Sequence, residues 1–419
     1  MIDLKLLRDH PEAIREAIRR RGLTMPLDGL LTVEKRRREL ITSIEQARQE
    51  LKRGSEAFAR QKAKGHSAPP AALKQLSDRI TQQEQQLKQV EEEVQNALAL
   101  LPNIPHVSVP AGDARQNQVV RTVGKPAAFS FLPKTHMELG VSRGLLDLER
   151  AAKITGSHFP LFTGQGARLV RALIQWMLDV QTKEHGYTEV WPPALVNRPS
   201  MFSTGQLPKF EEDMYRLKDD DLFLIPTAEV PVTNLHRDEV LDEAQLPLKY
   251  TAYTPCFRRE AGSYGKETKG LVRVHQFDKV ELVKFATPET SYAEHERLVQ
   301  NAEVILRRLG LHYRVVCLAA GDLSFAAAKC YDLEAWAPGL NQFLEVSSCS
   351  NFEAFQARRA NIRYRKSGSK KPEFVHTLNG SGVALARTVI CLLETHQQPD
   401  GKIRIPEPLR PYFDGQDQI

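Results

Sequence analysis

Two arginine-bearing runs stand out for what their side chains could hold. Phe257-Arg258-Arg259-Glu260-Ala261-Gly262-Ser263 is followed by Glu281, and Asn379-Gly380-Ser381-Gly382 is followed by Arg387. A guanidinium fork can grip a phosphate oxygen and a carboxylate oxygen together, and a second, distant arginine can take the far end of a triphosphate. Glu260 is available to accept from an adenine amino group or to orient a neighbour. The chain has no Gly-x-x-x-x-Gly-Lys-Ser/Thr loop and no Gly-x-Gly-x-x-Gly after a strand, so side chains must hold the phosphates. Glu345, in Glu345-Val346-Ser347-Ser348, offers with the Ser348 hydroxyl the hard oxygens that Mg²⁺ takes beside phosphate. Any one of these arginines alone reads equally well as a surface residue, and the serine run as a hydroxyl-rich strand satisfied by its own backbone. Taken together, they are equipment for activating an amino-acid carboxylate on a nucleotide.

These residues need a framework. Leu101-Pro102-Asn103-Ile104-Pro105 opens a proline-, glycine- and polar-rich stretch to Pro133 that reads as a linker, with the body of the protein beginning near Thr135. From about residue 167 to 185, apolar residues at Leu169, Val170, Leu173, Trp176, Met177 and Val180 predict a helix that breaks at Gly186 and enters Glu189-Val190-Trp191-Pro192-Pro193. Strand-like runs follow at Leu222 to Ile225, Val280 to Val283, Tyr313 to Val316 and Tyr331 to Trp336. Turns rather than regular crossover helices separate several of them, which predicts a mostly antiparallel sheet with helices packed on it, an α+β fold.

Ahead of that body, residues 28 to 101 contain no tryptophan or tyrosine, and their apolar residues step by three, four and seven. One seam reads Val33, Leu40, Ile44, Ala47, Leu51, Phe58; the other reads Leu73, Leu76, Ile80, Leu87, Val90, Val94, Leu101. Such spacing predicts an antiparallel coiled-coil hairpin turning through Lys64-Gly65-His66-Ser67-Ala68-Pro69-Pro70. Helices of ~30 residues are ~45 Å long, too long to fold over a core of their own, and predict a projecting arm. Residues 28 to 66 carry ten Lys/Arg against six Asp/Glu, whereas residues 67 to 101 carry three against five, so the basic excess belongs to one helix. Arg36, Arg37, Arg38, Arg48, Lys52, Arg53 and Arg60 could meet phosphates along that rod, although a charge run also suits a merely solvated face.

The whole chain of 419 residues carries a net charge of +6, a mild excess that suits a polyanionic partner without demanding one. Five scattered cysteines include no Cys-x-x-Cys pair, which speaks against a zinc ribbon or a disulfide framework and for a reducing compartment. With no signal-like N-terminus and no run of ~20 apolar residues, the expected location is the cytoplasm.

Four separated segments then resemble, in order, the signatures of one family. Residues 257 to 281, FRREAGSYGKETKGLVRVHQFDKVE, are similar to motif 2 of class II aminoacyl-tRNA synthetases in its seryl version; Thr377 to Thr388, TLNGSGVALART, resembles motif 3. Tyr331 to Arg359 resembles the region between them, and PPALVNRPSMFSTGQLPKF with its preceding helix resembles the motif 1 region that builds a dimer interface. With the hairpin included, the resemblance to bacterial seryl-tRNA synthetases covers essentially the whole chain. It implies a tRNA-binding N-terminal domain over residues 1–110 and a class II catalytic domain over 111–419.

The resemblance also implies roles. Arg258 would bridge the α-phosphate of ATP and the serine carboxylate, with Arg259 beside it in the ATP set. Glu260 would contact adenine, Phe277 would stack on it and Val274 would line that pocket. Glu345, Val346, Ser347 and Ser348 would form an ATP-binding run in which Glu345 and Ser348 hold Mg²⁺, and Arg387 would take the γ-phosphate. Thr227, Ala228, Glu229, Arg258, Glu281, Asn379 and Ser381 would hold serine. The implied partners are ATP, L-serine, tRNA(Ser) and a second copy of the chain as homodimer, with tRNA(Sec) open as another acceptor. Departures are few: Ala386 stands where relatives often have glycine, and Lys266 and Lys269 stand where arginines are frequent.

Competing readings make distinguishable demands. A ligase loading a carrier protein would lack the hairpin and use a metal-bound amino-acid site. A non-catalytic paralogue would be expected to lose Arg258, Glu281 or Arg387, and all three are present. A purely structural coiled coil leaves the large body unexplained.

Overall fold

The computed structural model describes residues 1–62, 71–261 and 270–419. The hairpin turn expected at residues 64–70, and motif 2 positions Gly262, Ser263, Lys266 and Lys269, lie outside the described residues. Packing divides the chain into two compact units, one of Met1–Arg19 and Leu23–Pro102, the other of Arg20–Gly22 and Asn103–Ile419.

In the first unit two short helices, Leu4–Asp9 and Pro11–Arg20, precede a pair of long ones, Leu27–Lys62 and Ala71–Ala99. The long pair runs antiparallel: Arg37 meets Glu91 at 3.6 Å, Gln83 Nε2 donates to Ser43 Oγ at 2.8 Å, and Arg48 pairs with Glu84 at 2.7 Å. Nearer the turn, Gly54 lies opposite Leu73, where a Cβ would run into the leucine methyl. The expected seam needs correction. It omits Glu34, which is 2% exposed, and Arg37, which is half-buried as Val33 and Leu40 are. Glu34 and Arg37 continue the three–four spacing through Leu27, Leu30, Ile44 and Ala47, and Gln83 does the same between Ile80 and Leu87. Counting only apolar residues passed over these polar members. Within its own helix Glu34 accepts from Arg38 Nε at Oε2, 2.8 Å away, while its buried Oε1, 3.6 Å from Arg37, has no hydrogen-bond partner among the described residues.

The second unit is built on eight strands: β1 (Gln118–Val123), β2 (Thr188–Glu189), β3 (Leu248–Phe257), β4 (Gln276–Ala286), β5 (Tyr313–Cys317), β6 (Lys329–Ala337), β7 (Gln342–Asn351) and β8 (His376–Ala384). Their order is β1-β5-β6-β7-β8-β4-β3-β2, and every neighbouring pair is antiparallel except β2 with β3. The mostly antiparallel sheet is as expected. However, β1 falls inside the stretch read as linker, because its Val119 and Val120 are exposed and present no buried face to find. Leu222–Leu224 lies outside the main sheet, paired with Leu195–Asn197 in a separate two-stranded sheet and bridged through Phe223 to Arg216. The expected helix spans Gln165–Lys183, and Gly186 takes φ +67° just beyond it.

Period-two alternation divides the sheet into a structural face and a chemical one. Val280 and Leu282 of β4 join Leu378 of β8 in a large core with Leu173, Met177, Leu298, Ile305, Val389 and Leu393, drawn from helices Gln165–Lys183, Ser291–Arg308 and Leu385–Thr395. Val283 and Phe285 pack on the opposite side with Ala228, Ala357 and Tyr364. Phe277, Lys279 and Glu281 share this second side, and it carries the site.

Candidate active site

Three adjacent strands bring polar residues to one stretch of the sheet. Ser350 of β7 is in register with Asn379 of β8, and Ser381 of β8 with Glu281 of β4. Register shifts between Glu345 and Ser347 and between Ser381 and Val383 insert Val346 and Gly382 as extra residues. Such bulges re-aim side chains at the edge of a site. Here they flank a cavity of about 640 Å³ that Thr227, Glu229, Arg258, Glu260, Val274, Phe277, Glu345, Val346, Ser348, Asn379, Ser381 and Arg387 help to line.

At one end lies a buried polar network. Asn379 Nδ2 donates both to Glu229 Oε2, at 2.9 Å, and to Glu281 Oε1, at 3.2 Å, so one amide lies between two carboxyl groups. Thr227 Oγ1 donates to Glu281 Oε2 at 2.9 Å and accepts from Lys279 Nζ at 2.8 Å, while Lys279 also pairs with Glu281 at 2.5 Å. Gln356 Nε2 donates to Glu229 Oε1 at 2.5 Å, and Gln356 Oε1 accepts from Thr377 at 2.7 Å. Burial and, after it, the neighbouring Glu281 charge push the Glu229 carboxyl up to about 7 from its ordinary 4.5, against the opposing pull of Gln356, Lys279 and Arg258. A cationic guest beside Glu229 and Glu281 would relieve that repulsion.

The other end carries the phosphate-binding candidates. The Arg258 guanidinium lies 5.1 Å from the centre of the Phe277 ring and donates through Nε to Pro226 O at 3.4 Å. Its peptide N–H donates to His275 O at 2.8 Å, fixing the start of the segment beyond β3 against the start of β4. Glu260 takes φ +52° and pairs with Arg273. Arg387, in the first turn of helix Leu385–Thr395, donates to Glu345 O at 2.9 Å and Glu345 Oε2 at 3.2 Å, and through Nε to Val272 O at 3.1 Å.

Three expected site residues point elsewhere. Ala228 is fully buried in the core beneath the cavity. Ser347, on the opposite pleat from Ser348, donates to Ser381 O at 2.6 Å. Arg259 donates to Glu212 O at 3.2 Å and does not line the cavity. On the hairpin, Arg37, Arg38 and Arg48 are engaged with Glu34, Glu91 and Glu84, whereas Arg36, Lys52, Arg53 and Arg60 are exposed.

Lys279, Gln356, Arg273 and Asp332 were missed. Lys279 was within reach, since it stands two residues from both Phe277 and Glu281 on one strand face. Gln356 and Arg273 carried no signal of their own. Asp332 of β6 is in register with Ser348, and burial and the Glu345 charge hold its carboxyl well above the usual carboxylate range. Among the described residues no cluster of three or more His, Cys, Asp or Glu forms a closed metal cage. Glu345, one carboxylate oxygen of which accepts from Arg387, and Ser348 instead line the cavity with hard oxygens, a set that fits Mg²⁺ completing its shell with phosphate oxygens and water.

Residues 209–396 match the tRNA synthetase class II core domain (G, H, P, S and T), and residues 1–105 match the seryl-tRNA synthetase N-terminal domain. A serine–tRNA ligase of Desulforapulum autotrophicum is 51% identical over 422 residues, covering 100% of this chain and 99% of its own length. One from Geobacillus kaustophilus is 53% identical and covers 100% of both. The crystal structure of a seryl-tRNA synthetase from Pyrococcus horikoshii complexed with ATP superposes with a TM-score of 0.93 at 37% identity, covering 100% of this chain and 99% of that one.

Proposed function

The chain belongs to the seryl-tRNA synthetases, class II ATP-using aminoacyl-tRNA ligases, and from that membership we propose how its residues divide the work. The observation that carries the division is the cavity's asymmetry. Buried carboxyl groups bridged by Asn379 lie at one end, Arg258 with the Phe277 ring and Arg387 at the other, and Arg258 is near enough to the first end for its charge to act on Glu229. Serine binds at the first end, its ammonium beside Glu229 and Glu281 and its hydroxyl read by Asn379 and Ser381. Alanine would leave those polar groups unpaired, and threonine is refused by shape.

ATP lies toward Phe277, Val274 and Glu260, with its phosphates between Arg258 and Arg387. Arg258 holds the serine carboxylate against the α-phosphorus. The carboxylate attacks in line and pyrophosphate leaves; the terminal ribose hydroxyl of tRNA(Ser) then attacks the adenylate carbonyl and AMP departs. Positioning and charge neutralisation supply the rate, with no covalent intermediate on the protein. A bound Mg²⁺, held by Glu345 and Ser348, would add neutralisation of phosphate charge. The basic hairpin grips the tRNA backbone.

We also assign the protein to the cytosol as a homodimer. Its five cysteines are free and buried, and among the described residues no helix is long and apolar enough to cross a membrane. Trp191, 76% exposed beside Pro192 and Pro193, supports a second copy seated on the motif 1 region.

ATP–pyrophosphate exchange with each amino acid in turn, with Mg²⁺ and without tRNA, tests the activation step. Exchange with serine is expected. Exchange with glycine or alanine instead points to a carrier-protein ligase, and no exchange at all to a non-catalytic paralogue.

The Glu229 carboxyl adds a pH dependence. Its folded-state value lies above the ordinary one, so the folded chain keeps this proton between about pH 4.5 and 7, and stability is lost across that window as pH rises. The difference amounts to ~3 kcal/mol. Without serine, the wild type should therefore lose melting temperature relative to Glu229→Gln as pH rises from about 4.5 to 7, with no further loss above 7. Serine's ammonium favours the carboxylate, so serine affinity should climb by up to ~10-fold per pH unit below 7 and level off above it. Calorimetric titrations giving the same serine affinity from pH 5.5 to 8 would remove Glu229 from the ammonium site.

A further inference from the structure

Helix Leu385–Thr395 is tied to one wall of the cavity from both of its ends. Its first turn supplies Arg387, whose Nε donates to Val272 O. Its last turn supplies Glu394, fully buried, whose carboxylate accepts four N–H groups: the His136 peptide N–H at 2.8 Å, His136 Nδ1 at 2.9 Å, Gly339 N at 2.9 Å and Leu340 N at 3.1 Å. On its far side the His136 ring, itself 1% exposed, receives the Leu271 N–H at Nε2, 3.3 Å away. A peptide N–H can only donate, so Nε2 offers its lone pair, Nδ1 carries the proton, and the imidazole is neutral. Leu271 and Val272 are consecutive, and both line the cavity with Arg273 and Val274. Gly270 leaves the ring its place: a Cβ there would run into His136 Nε2.

We infer that His136 and Glu394 are positioning residues for the nucleotide. They hold strip 271–274, the wall of the adenine side, at a fixed offset from Arg387 by tying both to one helix. Arg387 fixes the strip through the Val272 carbonyl; His136 fixes it through the Leu271 N–H one residue earlier. Neither His136 nor Glu394 lines the cavity, and their effect passes through the backbone of the strip. This inference rests on reading that side of the cavity as the ATP site.

Two variants of the full-length protein separate the arms of the link. In His136→Asn, the amide can still donate to Glu394 from the Nδ1 position but cannot reach Leu271. In His136→Gln, the longer side chain can bring its oxygen to Leu271. Loss of an acceptor for a buried N–H commonly shifts an equilibrium by ~10-fold or more. In pyrophosphate exchange, His136→Asn is expected to raise KM for ATP ~10-fold while KM for serine stays within about twofold, and His136→Gln to recover most of that loss. Glu394→Gln preserves volume and replaces one acceptor by a donor; it should raise KM for ATP several-fold and serves if His136→Asn does not fold.

A packing role alone would make both histidine variants follow their loss of melting temperature and move the two substrates together. That outcome, or an unchanged KM for ATP in His136→Asn and Glu394→Gln, overturns the inference. Absence of serine-dependent exchange in the wild type would instead overturn the reading of the site on which the inference stands.

Discussion

Arg258→Ala is expected to lower serine-dependent pyrophosphate exchange by ~10²–10³-fold, the scale on which removing one preorganised donor from a developing charge slows an enzyme. This arginine should outweigh Arg387, which already spends a terminal nitrogen on Glu345. Arg258 is held in place from both directions, by the Phe277 ring under its guanidinium and the Pro226 carbonyl at its Nε, so it is oriented before any ligand arrives. Its terminal nitrogens are the ones left to bridge phosphate and carboxylate. Arg258→Lys keeps the charge but loses the planar fork, and should fall between wild type and alanine. Binding of tRNA should change little in either variant, because the hairpin is untouched. Exchange at the wild-type rate by a folded Arg258→Ala protein would overturn the assignment.

Deleting residues 28–101, with a short linker in their place, should leave serine activation near the wild-type rate and reduce aminoacylation of tRNA by ~10³-fold or more. Cations meeting backbone phosphates account for much of nucleic-acid affinity, and losing several contacts compounds. A subtler version separates the hairpin's cations. Alanine at Lys52, Arg53 and Arg60, which are exposed, should weaken tRNA binding and reduce its salt dependence by about one charge per contact. Alanine at Arg48, paired with Glu84, should have less effect on RNA and more on the hairpin itself. Normal charging by the deletion would rule the hairpin out as the RNA-binding element.

The chemical face was legible because antiparallel strands write it plainly. Phe277, Lys279 and Glu281 alternate along β4, Asn379 and Ser381 along β8, and the signatures occur in order. What the sequence concealed falls into three physical kinds. The bulges at Val346 and Gly382 shift alternation by one residue, so Ser347 and Ser348 exchange the faces that simple counting cannot assign. Supporting residues such as Gln356, His136 and Glu394 act through partners distant in sequence, which composition does not reveal. Finally, apolar periodicity is blind to a core position filled by charge, as Glu34 and Arg37 show.

That polar stretch of the hairpin has a mechanical consequence. A purely apolar seam could slide by one heptad, ~10 Å along the axis, and still bury hydrocarbon. Here a slide in either direction takes Gln83 off Ser43 and Leu73 off the notch left by Gly54, each a loss on the order of 1–3 kcal/mol. The two helices therefore have one setting. Cations at Lys52, Arg53 and Arg60 stand at a constant length from the hairpin's root, so on the proposed reading the rod would work as a gauge: an RNA arm of the wrong reach would meet the same charges at the wrong distance.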